Sequence, residues 1–457
     1  MIDGFQGIAE IQGETGREVH SFEDLKTWLE SRKESQKVSI SRTTLKDCTP
    51  WFYDEDSGQI RNPKRSFFQI AGIHCSFSNG TTIEQPIILQ NEIGFLGIIC
   101  KKINGIWHFL MQAKIEPGNI NYVQISPTIQ ATKSNFMRLH GGREPAYLRF
   151  FTQMTPENVL VDQIQSEQSS RFLGKRNRNV ILKTEEEIEE ADSFRWMTMH
   201  QLKTFMAIDN CVNMDTRTVL SCIPYVFLDE PMEGHTKEFI DSINTIDRNA
   251  IRDLYIHIND YKMFRPGSIS FLPLTELKDW EMRKTELVHR GQYPFKVIYC
   301  NLEIEGREVT KWRQPLVEAI GEATFGLICS KSSGMLEILV RLKPEIGCFD
   351  VVEIGPTVQE EYGSTKERDE VTSFFFSSLE RKSILIDVVL SEEGGRFFHE
   401  QNRNVIMMVD KADVQYDSSR YVWATVGTLN AMTQINNCLN IQLRNLLMLL
   451  SMHSNKD

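Results

Sequence analysis

The sequence predicts an α+β fold made of two tandem homologous modules, each with a mixed or antiparallel sheet and helices packed on it. Three observations support this prediction. A long segment occurs twice, the start of each copy alternates short apolar runs with Gly and Asn turn signals, and the end of each copy has helical spacing without an internal Pro or Gly. The 457 residues suffice for this organisation, because one domain typically takes about 150 residues.

The repeat keeps the order of its blocks in both copies. Residues 85–130 align without a gap to 314–359 at an offset of 229, with 16 identities in 46 positions. Residues 162–181 match 387–406 at an offset of 225, with 10 of 20 positions identical. A third block begins at a Trp-x-Thr motif in each copy. This alignment divides the chain into four regions, namely an N-terminal arm (1–50), a first module (51–225), a helical connector (226–284) and a second module (285–457).

Within each copy, the first block predicts a meander of strands and the third block predicts helices. Runs such as IGFLGIIC, HFLMQAKI and YVQIS are short, apolar and bounded by turn signals, as expected for strands. The segments MTMHQLKTFMAI and DTRTVLSCI have apolar residues at three- and four-residue spacing. Residues 236–264 of the connector have the same spacing, and they predict one long amphipathic helix that Arg265, Pro266 and Gly267 end.

Composition excludes several classes of protein. The net charge of −11 and the pI of about 5.5 disfavour nucleic acid as a partner, because an acidic surface repels a phosphate backbone. No run of 18 or more uncharged apolar residues occurs and the first residues lack a signal peptide's pattern, so we expect a cytoplasmic protein without a membrane partner. Nine scattered cysteines without a C-x-x-C motif predict reduced buried thiols, with no disulfide framework and no zinc site.

The informative positions are polar residues that both copies retain, because core packing does not explain them. Strand alternation places Gln112, Lys114 and Glu116 on one face, where they could line a polar pocket. Such a set offers cations and hydroxyls to phosphate, amides to a sugar or base, and carboxylates for proton transfer. The alternative is a buried hydrogen-bond network that holds strand ends and turns. The retained pairs are Lys114/Lys343, Glu116/Glu345, Thr128/Thr357, Gln130/Gln359, Ser166/Ser391, Glu167/Glu392, Arg171/Arg396, Asn177/Asn402, Arg178/Arg403 and Asn179/Asn404.

Several chemistries lack their motifs. No G-x-G-x-x-G follows a predicted strand, which disfavours a dinucleotide cofactor, and no H-E-x-x-H or G-x-S-x-G is present. Trp51 and Trp312 precede the repeats, where each could stack on a nucleobase or pack in a core.

The repeated motifs resemble those of the NDP-hexose 2,3-dehydratases of deoxysugar biosynthesis. The stretches that carry the resemblance are WFYDEDSGQI, QAKIEPGN, VQISPTIQATKSN, DQIQSEQSSRF, KRNRN, VNMDTRTVLSCIP, REVTKWRQPL, IGPTVQ, SEEGGRFFHEQNRN and WATVGTL. The resemblance covers most of the chain and implies two Nudix-like modules, a homodimer and catalysis without a metal or redox cofactor. It implies as substrate a nucleotide-linked 4-keto-6-deoxyhexose, usually the dTDP-glucose derivative, and functional coupling to a 3-ketoreductase.

The resemblance also implies roles for residues. The expected reaction removes the C3 proton and eliminates the C2 hydroxyl, which needs a base, an acid and a group that stabilises negative charge. Glu167 or Glu392 is the expected acid or base, and Lys114, Arg171 or Arg396 would stabilise charge. The expected substrate contacts are Trp51, Gln112, Glu116, Thr128, Gln130, Ala131, Thr132, Lys133, Ser134, Asn135, Ser166, Asn177, Trp312, Thr357, Gln359, Ser391, Glu393, Gly394, Gly395 and Asn402.

The two copies differ, and the differences leave open which pocket is catalytic. The second copy reads EEYGS where the first reads ATKSN, and it has Arg341 for Gln112 and Glu353 for Gln124. Two rival functions remain. A Nudix-type nucleotide-sugar pyrophosphatase would need a glutamate cluster for Mg²⁺, of which the sequence has no matching run. A non-catalytic nucleotide-sugar-binding protein would bind the substrate without turnover.

Overall fold

The computed structural model of the chain describes residues 17–77, 80–136, 144–224, 236–264, 267–305, 309–364, 367–380 and 383–450, without the side chains of Ser134 and Asn135. The first half contains α1 (Phe22–Ser35), β1 (Val38–Arg42), β2 (Phe52–Asp54), β3 (Gln59–Arg61), β4 (Gln69–Ser76), β5 (Thr82–Leu89), β6 (Gly94–Ile103), β7 (Ile106–Ile115), β8 (Val123–Ser126), β9 (Ile129–Ala131), α2 (Lys133–Phe136), α3 (Leu148–Thr152), β10 (Val159–Ser166), β11 (Arg176–Lys183), β12 (Phe194–Thr198), α4 (Met199–Met206) and α5 (Met214–Ser221). The second half contains α6 (Lys237–Ile243), α7 (Arg248–Phe264), β13 (Ser268–Leu272), β14 (Trp280–Met282), β15 (Glu286–His289), β16 (Phe295–Ile304), β17 (Lys311–Ala319), β18 (Ala323–Ser330), β19 (Glu337–Pro344), β20 (Val352–Gly355), β21 (Val358–Glu360), α8 (Glu370–Ser378), β22 (Ser383–Ser391), β23 (Phe397–Phe398), β24 (Gln401–Met408), β25 (Tyr421–Thr425), α9 (Val426–Thr433) and α10 (Ile441–Leu450).

Each repeat forms a large mixed sheet with the same topology. In the first, strands run in the order β10-β11-β6-β7-β12, with β9 on β6 and β8 on β7. The second repeats this arrangement with β22-β24-β18-β19-β25, β21 on β18 and β20 on β19. The central pairs β6–β11 and β18–β24 are parallel, and the other pairs are antiparallel. The predicted α+β class with a duplicated mixed sheet is therefore confirmed.

The helices begin where their sequences place capping residues. Thr198 starts α4 in a capping box, because its hydroxyl accepts the Gln201 N–H at 3.2 Å while the Gln201 side chain accepts the Thr198 N–H at 2.9 Å. Asn213 caps α5 and Asn440 occupies the corresponding position before α10. The predicted helices of the third block are confirmed.

The connector differs from its prediction in two respects, of which the first is that Ser268–Leu272 and Trp280–Met282 form the strands β13 and β14. The second is that residues 236–264 form two helices, α6 and α7, rather than one long helix. The chain leaves the first helix at Asn244, and the Thr245 carbonyl there accepts the Thr425 hydroxyl, so packing against α9 competes with helical continuity. Helix α7 buries Ala250, Leu254 and Ile258 in the core, as the periodicity predicts.

The smaller sheets exchange a strand between the repeats. Strand β1 precedes the first repeat but pairs with β16 of the second, in the register Val38 with Ile304. Strand β13 precedes the second repeat but pairs with β4 of the first, in the register Ser268 with Ser76. Each repeat therefore completes the sheet of the other.

Two hairpin loops cross between the repeats with approximate two-fold symmetry. The Gly118 N–H donates to the Gly394 carbonyl at 2.7 Å, and the Gly347 N–H donates to the Ser169 carbonyl at 2.8 Å. A side chain does not fit here, since a Cβ on Gly118 would lie 1.5 Å from the Phe397 carbonyl oxygen. The crossing brings the loop after β22 against the polar strand ends of the first repeat.

Two further features of the structure concern the cysteines and the lengths of the helices. All nine cysteines are free, and eight of them are buried. Among the residues that the structure describes, no helix is long and apolar enough to cross a membrane.

Candidate active site

Two polar clusters lie where the repeats meet, and each takes residues from both. Cluster 1 is defined as Gln90, Glu92, Lys114, Glu116, Gln130, Glu167, Lys175, Asn177, Asn213 and Asp215 of the first repeat with Glu393, Gly394, Gly395 and Arg396 of the second. Cluster 2 is defined as Lys343, Glu345, Gln359, Glu361, Glu392, Glu400, Asn402, Asn440 and Gln442 of the second repeat with Gln168, Ser169, Ser170 and Arg171 of the first.

The retained Lys-x-Glu and Gln motifs form the base of cluster 1. Lys114 Nζ donates to the Gln130 carbonyl at 3.1 Å, and Gln130 Nε2 donates to Glu116 Oε1 at 2.6 Å. Asn213, which caps α5, donates to Gln130 Oε1 at 3.2 Å. The backbone N–H of Gly394 reaches Glu116 Oε2 at 3.3 Å, so the loop of the second repeat closes this side.

Glu167 is the buried carboxylate at the centre of cluster 1. Its Oε1 accepts a hydrogen bond from Asn177 Nδ2, while its Oε2 is buried without a hydrogen-bond partner among the described residues. Burial and the neighbouring Glu393 raise the pKa of Glu167 to about 7, against the opposing effect of Lys175. A carboxyl group with a pKa near neutrality can both accept and donate a proton.

Two further carboxyl groups of cluster 1 have raised pKa values. Burial, followed by Glu167, raises the pKa of Asp215 well above its usual range, and Asp215 Oδ1 has no hydrogen-bond partner in the described part of the chain. Burial also raises the pKa of Glu393, against the opposing effect of Arg396, whose Nη1 donates to Glu393 Oε1 at 3.2 Å. Burial therefore favours the protonated form of both carboxyl groups.

Cluster 2 repeats the base of cluster 1. Gln359 Nε2 donates to Glu345 Oε1 at 2.9 Å, and Asn440 Nδ2 donates to Gln359 Oε1 at 2.9 Å. Asn402 Nδ2 donates to Glu392 Oε1 at 2.7 Å. Burial, followed by Glu400, raises the pKa of Glu392 to about 7.

The cations of the two clusters have different partners. Both terminal nitrogens of Arg171 in cluster 2 donate hydrogen bonds to the Glu361 carboxylate, at 3.2 and 3.0 Å, and Arg171 lies 3.8 Å from Glu400. Although burial disfavours its charge, Glu361 and Glu400 raise the pKa of Arg171. Position 132 of the first repeat, which corresponds to Glu361, is Thr132. The Arg396 guanidinium instead donates to Gln90 Oε1, at 3.1 and 2.9 Å.

Several predicted substrate contacts connect strands or repeats. Thr128 accepts the Ile99 N–H at 3.0 Å and donates to the Leu110 carbonyl at 2.5 Å, and Thr357 makes the corresponding contacts in the second repeat. Ser391 exchanges hydrogen bonds with Gln124 at 2.6 and 2.9 Å. Ser166 donates to Glu353 at 2.8 Å. These side chains form the buried network that the sequence left as an alternative.

The two predicted tryptophans lie outside both clusters. Trp51 is 5% exposed, and its indole N–H donates to the Arg313 carbonyl of the other repeat at 2.9 Å. Its counterpart is Trp280, which donates to the Glu84 carbonyl at 3.0 Å. Trp312 lies on β17 and donates to Gln314 Oε1 at 2.9 Å. The structure thus gives Trp51 a packing role between the repeats.

The remaining predicted contacts lie on β7, at the end of β9 and at the start of α2. Gln112 is half-buried on β7, opposite Phe194 of β12. Ala131 ends β9, and the exposed Lys133 begins α2 just after Thr132. The predicted contacts through the side chains of Ser134 and Asn135 lie outside the described residues.

Lys175 and Asp215 are cluster residues that sequence reasoning missed. Identity between the two copies does not identify them, because Glu400 and Gln442 occupy these positions in the second copy. A charge reversal between otherwise matching motifs was the signal available in the sequence. No group of three or more His, Cys, Asp or Glu side chains placed to hold a metal occurs within the described ranges.

Comparison with known proteins agrees with the resemblance seen in the motifs. The family model described as NDP-hexose 2,3-dehydratase matches residues 22–223 and 252–450. The chain is 36% identical to a dTDP-4-dehydro-6-deoxy-alpha-D-glucopyranose 2,3-dehydratase of Streptomyces violaceoruber, over 92% of this chain and 95% of the relative. Relatives with the same name from Saccharopolyspora spinosa and Amycolatopsis orientalis are 34% and 32% identical, over 93% of this chain and 90% and 89% of their own lengths. The prediction of a hydro-lyase for a nucleotide-linked hexose is confirmed, and the chain belongs to the NDP-hexose 2,3-dehydratase family.

Proposed function

We propose that cluster 1 catalyses the 2,3-dehydration of a dTDP-linked 4-keto-6-deoxyglucose. The relatives named for this reaction support the substrate. The assignment to cluster 1 rests on the different partners of Arg396 and Arg171, because Glu392 of cluster 2 shares the features of Glu167. The observation that carries the reaction type is Glu167, a buried carboxylate with a pKa of about 7 and one oxygen that has no hydrogen-bond partner among the described residues. Such a group suits removal of a proton next to a ketone.

The reaction uses the groups of cluster 1 in sequence. The C4 ketone acidifies the C3 proton, which Glu167 removes to give an enolate. Lys114 and Arg396 stabilise the negative charge that develops on oxygen. The C2 hydroxyl then leaves as water with a proton from Asp215 or Glu393, whose pKa values are raised by burial. The resulting enol rearranges to a 3,4-diketo-2,6-dideoxy sugar, so the net change is the loss of one water.

We propose that cluster 2 does not catalyse this reaction. Its cation Arg171 is already paired with Glu361 and lies close to Glu400, so little of its charge is available to an anionic intermediate. Arg396 of cluster 1 bonds to the neutral Gln90 and to one carboxylate, Glu393, in the same loop. The asymmetry of these two arginines supports one reacting site in each chain.

We also propose the four-region division with Nudix-like modules, a homodimer and coupling to a 3-ketoreductase. The four-region division of the chain and the Nudix-like architecture of its modules rest on the repeat and on the family resemblance. The edge strand β13 exposes Ile269 and Phe271, and Phe264 at the end of α7 is also exposed. These exposed apolar side chains support a homodimer. The diketo product is reactive, which supports coupling to a 3-ketoreductase.

The test is conversion of the proposed substrate by the purified protein after treatment with EDTA. Incubation in D₂O, trapping with a 3-ketoreductase and NADPH, and mass spectrometry should show loss of one water and uptake of deuterium at C2. Release of dTMP would favour the pyrophosphatase instead. Saturable binding without conversion would favour a non-catalytic binding protein, and either result would contradict the proposal.

A further inference from the structure

We infer that Lys175 is a positioning residue for Glu167, because its buried ammonium group favours the ionised form of the carboxylate that acts as the base in cluster 1. The inference rests on the proposed function, because it names the group on which the activity of that site depends. It starts from a position where the two clusters have opposite charge.

The backbone places Lys175 beside Glu167. The Glu167 N–H donates to the Lys175 carbonyl at 3.0 Å, at the loop end of the β10–β11 hairpin. The same bond joins Glu392 to Glu400 at 3.0 Å in the second repeat. The two positions are therefore equivalent neighbours in both clusters, and only the charge of the second member differs.

The lysine side chain is buried and fixed at its tip. Lys175 is 6% exposed, and its Nζ donates to the Glu92 carbonyl at 2.7 Å. The absence of a side chain at Gly94 leaves room for it, since a Cβ there would lie 3.4 Å from Lys175 Nζ and 2.4 Å from Asn177 Oδ1. Asn177 in turn donates to Glu167, so lysine, asparagine and glutamate pack as one group.

Lys175 is one of the cations that oppose the carboxyl groups around Glu167. Glu167 faces Glu393 of the crossing loop, and it also interacts with Asp215 of α5 and Glu392 of the second repeat. These carboxyl groups oppose its ionisation. The opposing cations are Lys175, Arg396 and Arg444 of α10, of which Lys175 has the largest effect. Removing the lysine should therefore shift Glu167 toward its protonated form.

Cluster 2 has the opposite charge at this position. Glu400 is 3% exposed and raises the pKa of Glu392, but Arg217 and the hydrogen bond from Asn402 lower it, so the pKa of Glu392 is about 7, as it is for Glu167. Glu400 is itself held by Gln168 at 3.2 Å and lies 3.8 Å from Arg171. In cluster 2, Arg171 therefore stabilises the carboxylates of Glu361 and Glu400.

The test compares Lys175→Met, which removes the charge, with Lys175→Arg, which keeps it, and with Glu400→Gln as the matched change in the second repeat. For Lys175→Met we expect the acidic limb of the kcat/KM profile to move up by about one pH unit or more. Turnover at pH 7 should fall about fivefold or more and recover partly at higher pH. Lys175→Arg and Glu400→Gln should keep the acidic limb of the wild type.

An unchanged acidic limb in Lys175→Met, or an equal shift in Glu400→Gln, would overturn the inference. If Lys175→Met does not fold, as judged by circular dichroism, Lys175→Gln takes its place. A readout without turnover separates this inference from the proposed function. Infrared difference titration of each protein against its Glu167→Gln counterpart reports protonation of Glu167, so it shows the lysine's effect even if the wild type fails to convert the sugar.

Discussion

At the scale of single residues, identical motifs have different surroundings in the two clusters. Glu167 and Glu392 each accept a hydrogen bond from the asparagine ten positions later, but Lys175 lies beside the first and Glu400 beside the second. The sequence therefore identifies Glu167 and Glu392, whereas their surroundings in the structure distinguish their proposed roles. The protonation state of a buried group depends on all of its neighbours, including residues that are distant in the sequence.

Glu167→Gln should abolish turnover while binding of dTDP and of the nucleotide sugar survives. The amide keeps the size of the side chain and a partner for Asn177 but cannot accept the C3 proton, so we expect kcat to fall by about 10²-fold or more. Glu392→Gln is the matched control and should retain most activity. Steady-state kinetics and calorimetric titration measure both, and equal losses in the two variants would contradict the assignment to cluster 1.

Glu353→Gln should stabilise the protein at alkaline pH. Burial raises the pKa of Glu353 to about 8, so its folded form prefers to be protonated, and stability is lost as the pH rises from its unfolded pKa near 4.5 through 8. Gln124 occupies the matching place and already bonds to Ser391 as an amide. We expect a gain of roughly 2–4 kcal/mol in the free energy of unfolding at pH 8 and little change at pH 5. Chemical denaturation at both pH values checks this, and a gain of equal size at pH 5 would argue against the cause.

At the scale of elements, the crossing loops set the distance between the clusters' two halves. Gly118 and Gly347 approach carbonyl oxygens of the other repeat so closely that a Cβ would lie 1.5 and 1.8 Å away. Both glycines were visible as an identity in the alignment, but the close approach was not, because the partner oxygens belong to the other repeat. Glycine is required there by contact between elements rather than by its own backbone angles.

Gly118→Ala and Gly347→Ala should each lower the melting temperature strongly, since the backbone itself must move to admit a methyl group. A loss of about 3 kcal/mol or more in the free energy of unfolding is expected by analogy with severe overpacking. Gly291→Ala is the control, because its Cβ would meet only the His289 ring at 3.4 Å. Thermal and urea unfolding of the three variants distinguish them, and a mild effect at Gly118 would mean that the loops can separate.

At the scale of the whole molecule, the exchanged strands make the two repeats one folding unit. Residues 17–224 alone would lack β13 for the edge of β4 and would carry β1 without its partner β16. Arg217 and Arg444, both fully buried, each donate to a backbone carbonyl of the other repeat, Ser391 and Ser166, at 2.6 Å. Loss of either half would leave such groups without compensation.

Separate expression of residues 1–224 and 236–457 should give insoluble or molten halves, whereas their co-expression should reconstitute a complex with the melting behaviour of the intact protein. The cause is exposure of apolar sheet faces and unpaired edges in each half. Size-exclusion chromatography and circular dichroism report the outcome. A soluble, cooperatively folded single half would contradict the interlocked architecture.

The sequence by itself determined the duplication, the strand and helix pattern, the family and the retained polar motifs, because these depend on local periodicity and on identity between the copies. Only the tertiary structure decided that β1 and β13 each pair with a strand of the other repeat and that the predicted connector helix is broken. It also decided that Glu393 and Arg396 complete the cluster around Glu167. The physical reason is that strand pairing, loop crossing and buried charge depend on contacts between residues far apart in the sequence, such as Ser76 with Ser268 and Glu116 with Gly394. No local pattern encodes such contacts.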